Sequence, residues 1–70
     1  MMIRYKYFVR CSGWVNGGYE NTGFATSEAE AKKHIEESNL RYKKAGVECH
    51  ISLLSMEQIS NREFAEDYLG

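Results

Sequence analysis

The chain has no proline and only two cysteines, Cys11 and Cys49. Without proline there is no Pro-rich linker, and the six glycines are the main punctuation between compact elements. Two cysteines are too few for a secreted disulfide scaffold. No apolar run approaches the ~18 residues that a membrane-spanning helix needs. No basic stretch followed by an apolar one opens the chain, so no signal peptide is expected. These absences point to a reducing cytoplasm, where both cysteines stay thiols and pack as small apolar side chains. A disulfide between them, or half of a zinc site with His34 or His50, are the alternatives.

A dominant sign of charge is also missing. Nine Lys and Arg against ten Asp and Glu leave a net charge of −1. That is too neutral for a DNA mimic or for a purely electrostatic nucleic-acid binder. The soft ligands form no CxxC or HxxxH pair, so no metal and no cofactor are expected. GxGxxG and P-loop patterns are absent. Glu36-Glu37 and Glu66-Asp67 are adjacent in sequence and point apart on a helix. No Ser or Cys has an evident His partner by spacing, so no enzyme is expected.

What is present fits a folded domain: 43% apolar and 27% charged residues. Seventy residues make one small domain, residues 1–70. A chain of this size buries roughly 60% of its unfolded surface. A second copy or a larger partner is then a natural further source of stability.

Met2 to Cys11 alternates with period two. Ile3, Tyr5, Tyr7, Val9 and Cys11 share one face, and Arg4, Lys6, Phe8 and Arg10 the other. Asn16-Gly17-Gly18 signals a turn, with Trp14 and Tyr19 flanking it and placed to pair across it. A second strand runs from about Tyr19 to Thr26. Ser27-Glu28-Ala29-Glu30 is a capping box that opens a helix to about Lys44, with Gly46 as its C-terminal residue. The apolar stripe of that helix (Ala31, Ile35, Tyr42, Ala45) is thin. Leu40 falls off it, so either the helix breaks near Ser38-Asn39 or Leu40 is exposed. Val47 to Leu54 is a third strand, and residues 55–60 read equally as strand or helix. Ser60-Asn61-Arg62-Glu63 is a second capping box, opening a short helix with Phe64–Tyr68 and Ala65–Leu69 pairs.

The expected fold is therefore α+β, ββαβ(α). Its three-stranded antiparallel sheet has order 2-1-3, with one long helix packed on it and a short C-terminal helix. A strand–helix–strand crossover makes the third strand parallel to the second and places it beside the first. Cys11 and Cys49 then become neighbours on the apolar face.

Two sets of residues are candidates for contact. The partner-binding set is Trp14 and Tyr19 at the hairpin tip, with Arg4, Lys6, Phe8 and Arg10 on the outer face of the first strand. His50 is placed to join it. Aromatics give large contact area at low entropic cost. The second set is Arg41, Lys43 and Lys44, which serve either phosphate contact or the helix dipole. Basic residues interleaved with an aromatic on a sheet also suit stacked bases. A self-covering alternative places the acidic C-terminal helix over the first strand, with Phe64 and Tyr68 on Phe8.

The short amino-terminal hairpin, the helix opening at Ser27 to Ala31 and the strand after it resemble small proteins of phages and mobile elements. Anti-CRISPR proteins and other anti-defence inhibitors are among these. The resemblance spans about residues 3–54, is architectural, and carries over no functional residue. It implies a compact protein, cytoplasmic in a bacterial host, that occupies another macromolecule's surface. The leading expectation is an inhibitor or adaptor that binds a protein partner such as a host defence complex. Nucleic-acid binding and a structural homodimer are the alternatives, and no membrane partner is expected.

Overall fold

The computed structural model of the chain describes residues 1–13 and 17–69, the last without its side chain. The order is β1 (Met2–Cys11), β2 (Tyr19–Ala25), α1 (Glu28–Ala45), β3 (Cys49–Ile59) and α2 (Asn61–Leu69). The sheet order is β2-β1-β3 with both pairings antiparallel, so the fold is α+β as expected. The expected turn lies partly outside the described residues. The β1–β2 ladder begins at Val9↔Tyr19, so Tyr19 pairs with Val9. No described helix is long and apolar enough to cross a membrane.

β3 is longer than its hydrophobic alternation suggests. It pairs as Cys11↔Cys49, Val9↔Ile51 and Tyr7↔Leu53, then resumes as Lys6↔Ser55, Tyr5↔Met56 and Arg4↔Glu57. Leu54 is the extra residue of a bulge, and its side chain is exposed. Directly paired residues share a face, and an inserted residue reverses the alternation beyond it. Cys49, Ile51, Leu53 and Met56 therefore face α1. Glu57 and Ile59 face the opposite side, called here the outer face. The span of residues 55–59 is strand, and Ile59, only 3% exposed, anchors the outer side.

α1 is unbroken over 18 residues, so Leu40 is exposed rather than marking a break. Ser27 caps it by accepting from the Glu30 amide at 3.1 Å. The Glu30 carboxylate accepts from the Thr26 hydroxyl, which takes it away from the reciprocal half of the capping box. Gly46 ends the helix at a φ of 71°, its amide donating to Lys43. The helix packs mainly over β3. There the Asn39 side-chain amide donates to the Ile51 carbonyl at 2.9 Å and accepts from its amide at 2.7 Å. A polar side chain thus closes two backbone groups of an edge strand.

The core is small: Ile3, Tyr5, Ala25 and Ala31, flanked by Tyr7, Ile35, Leu53 and Met56. Tyr5 is 6% exposed. Its ring lies over Gly23, where any Cβ would come within 2.4 Å of a ring atom. Its hydroxyl reaches His34 Nδ1 at 3.0 Å, and His34 Nε2 lies 3.6 Å from Glu30. Burial above all, then Tyr7 and Glu30, hold the phenol above the usual tyrosine range.

The two cysteines are not free thiols as the sequence suggested. They form a disulfide between β1 and β3, their Cα atoms 3.9 Å apart. The pairing that sets Cys11 directly against Cys49 on the α1 side brings the sulfurs together. Among the described residues no group of His, Cys, Asp and Glu is placed to hold a metal ion.

Two outcomes follow. The bond closes a sequence separation of 38 residues, so reducing it, or Cys11→Ser with Cys49→Ser, should cost about 4 kcal/mol in denaturant titrations. An unchanged midpoint would contradict this. The second concerns pH. The unfolded chain loses its tyrosine proton near pH ~10, whereas folded Tyr5 holds it to higher pH. The contribution is complete below the unfolded pKa and is lost as pH rises through the folded value. Tyr5→Phe should be weaker at neutral pH by about 1 kcal/mol, through the lost contact with His34. Wild type should then lose stability more steeply than Tyr5→Phe at alkaline pH, and equal slopes would count against the assignment.

Candidate functional site

The outer face is a grid built on β1. Met2, Arg4, Lys6, Phe8 and Arg10 run down its centre. Phe24, Thr22 and Glu20 of β2 stand opposite Arg4, Lys6 and Phe8. Ile59, Glu57, Ser55, Ser52 and His50 of β3 stand on the other side, opposite Met2, Arg4, Lys6, Phe8 and Arg10.

One end of this grid is covered by α2. Ser60 caps the helix, accepting from the Glu63 amide at 3.1 Å. Phe64 and Tyr68 stack on each other at 5.3 Å, as their spacing predicts. Both meet Phe24 edge-on, at 5.1 and 6.2 Å between ring centroids. The aromatic target is Phe24 of β2, not the expected Phe8. Asp67 reaches Arg4, which also donates through Nε to Glu57 at 2.7 Å. These carboxylates, Glu57 first, hold the Arg4 guanidinium above its ordinary pKa. Of the candidate cations of β1, Arg4 thus has two carboxylate partners within the molecule. Its double engagement rests on the Leu54 bulge, which turns Glu57 outward.

No described helix covers the other end. Lys6, Arg10, Glu20, His50 and Ser52 are exposed, and Phe8 is partly buried between them. Neither Lys6 nor Arg10 has a carboxylate partner among the described residues. Phe8 is held from the loop side. A Cβ on Gly18 would sit 3.0 Å from the Phe8 ring and 2.2 Å from the Val9 carbonyl oxygen, and φ at Gly18 is 120°. Only glycine lets the chain pass there. The neighbours Thr22, Ser52 and Ser55 are short, so the cations and the ring stand above them. Where the two ends meet, a cleft of about 530 Å³ is lined by Arg4, Lys6, Thr22, Phe24, Glu57 and Asp67.

The remaining sequence candidates lie elsewhere. Trp14 lies outside the described residues. Tyr19 is 50% exposed on the α1 side of the sheet, since it pairs with Val9. Arg41, Lys43 and Lys44 are exposed at the end of α1. Arg41 donates to Ser38 Oγ at 3.3 Å, and the two lysines occupy the last turn, where cations complement the helix dipole. This cluster belongs to the helix layer, opposite Lys6, Phe8 and Arg10, so the two basic sets form no single patch on one face. His50 joins Arg10 as expected. The hydroxyls Thr22, Ser52 and Ser55 carry no sequence signal of their own, because their place on this face depends on pairing rather than on residue type.

The chain matches no family model, no curated protein and no solved structure.

Proposed function

We propose that this chain is a small macromolecule-binding protein that works by protein–protein contact through the open half of its outer sheet face. It is an inhibitor or adaptor of the kind that phages and mobile elements carry, acting on a protein of a bacterial host. One observation carries the reading. The outer face holds two large aromatics, and α2 packs on Phe24 while no described helix packs on Phe8. Phe8 sits between Lys6 and Arg10, two cations that no carboxylate among the described residues engages. Charged groups at such a site speed encounter, and a central aromatic contributes most of the affinity.

The sheet edges favour contact through the face. Asn39 occupies the Ile51 backbone groups of β3, and the Asn21 side chain accepts from the Thr22 amide of β2 at 2.9 Å. Both edges therefore carry an amide side chain on backbone groups that an added strand would use.

The test is a tagged capture from nuclease-treated bacterial lysate. Wild type should retain a stoichiometric protein that Lys6→Glu with Arg10→Glu does not. If both proteins retain it equally, the site is elsewhere. If nuclease removes all partners and binding falls steeply with salt, the face reads nucleic acid instead. A dimer in light scattering that the double variant disrupts would make this face a homodimer interface.

A further inference from the structure

We propose that the occupant of the open half is an acidic amphipathic helix of the partner protein, seated beside α2 and parallel to it across the strands. The inference rests on the protein-contact reading above and names the kind of partner. The molecule supplies the precedent. α2 binds the same face, and it is a nine-residue helix with Phe64 and Tyr68 on one side and Glu63, Glu66 and Asp67 along it. It places rings on a sheet aromatic and a carboxylate on a β1 cation. The open half repeats that chemistry: Phe8 is the aromatic, and Lys6 and Arg10 are the cations.

The dimensions agree. Side chains two residues apart on one face of a strand are separated by about 6.6 Å. The distance along β1 from Arg4, under α2, to Phe8 is therefore about 13 Å. Packed helices lie about 8–10 Å apart. A second helix beside α2 would thus centre between Lys6 and Phe8. Lys6 would stand in the seam, in the cleft it already shares with Asp67, and Arg10 would stand on the far flank. Three strands span about 10 Å, which about two turns of helix would cross. So small a footprint belongs to a weak, transient complex.

Charge selects a peptide over a nucleic acid. Glu57 and the acidic side of α2 border the site at one end, and Glu20 stands at its β2 margin. A phosphate backbone continuing past Lys6 would run into these carboxylates. A short helix can confine its acids to the positions over Lys6 and Arg10 and turn neutral side chains toward Glu20 and α2. His50, opposite Arg10, lies on the same flank.

The experiment is an amide-resolved NMR titration of the full chain with a synthetic helical peptide. The peptide carries α2's Phe-x-x-x-Tyr spacing with Glu and Asp on its flanks. The expected result is saturable shifts at Lys6, Phe8, Arg10, Thr22 and Ser52 with α2 amides in place, and a micromolar to millimolar Kd. Lys6→Glu with Arg10→Glu should weaken binding at least tenfold, as should the milder Lys6→Gln with Arg10→Gln. Unchanged α1 shifts in these variants show that the fold is kept. A peptide with its acids replaced by lysine should not bind.

Absence of shifts, equal binding of the lysine peptide, or shifts confined to α2 and Phe24 would overturn the proposal. So would a single-stranded oligothymidylate that binds these same amides more tightly than the peptide. If the peptide fails while capture of a protein still depends on Lys6 and Arg10, this inference falls and the broader reading stands.

Discussion

The arrangement of this molecule turns on one inserted residue. A strand alternates its side chains with period two, so an extra residue at Leu54 exchanges the faces of everything after it. Before the bulge, Cys49, Ile51 and Leu53 face α1. An uninterrupted ladder would send Glu57 and Ile59 to that same side, burying a carboxylate under α1 and turning Met56 outward. The bulge keeps Met56 over the core and sends Glu57 to Arg4 and Ile59 to the outer face. The chain leaves β3 on that side, so α2 folds across the outer face instead of joining α1.

The division of the outer face follows from this. α2 is short, and it spends its two aromatics and one carboxylate on Phe24 and Arg4. Lys6 stands at its margin, in the cleft beside Asp67, and Phe8 and Arg10 lie farther along β1. The residues left uncovered are of the same kinds as those it covers, which connects the fold to the functional reading. The α1 side differs in character. There two polar side chains are engaged internally, Asn39 on Ile51 and the Tyr5 hydroxyl against His34.

Much of this was legible in the sequence, through short-range chemistry. Alternation along Met2–Cys11 marked β1 and both of its faces. Ser27 and Ser60 marked both helix starts, and the crossover rule gave the strand order. What escaped depends on the third dimension. The bulge leaves no composition signal, because Leu53-Leu54 reads as a plain apolar pair and the shifted alternation after it looks like a loss of pattern. The fates of Arg4 and Phe8 hang on that shift, since it decides where Glu57 points and where α2 lands. Strand order makes the cysteines neighbours, but two residues in a short chain carry no signal of bonding on their own.

The strand changes faces at Leu54 and thereby seats α2 on the outer side. Nuclear Overhauser spectroscopy measures this directly. The expected spectrum shows cross-strand contacts Tyr5–Met56 and Arg4–Glu57 together with ring contacts between Phe24 and Phe64. Contacts Tyr5–Ser55 and Arg4–Met56, the pairs of an uninterrupted ladder, would contradict it and would leave the outer face without its division.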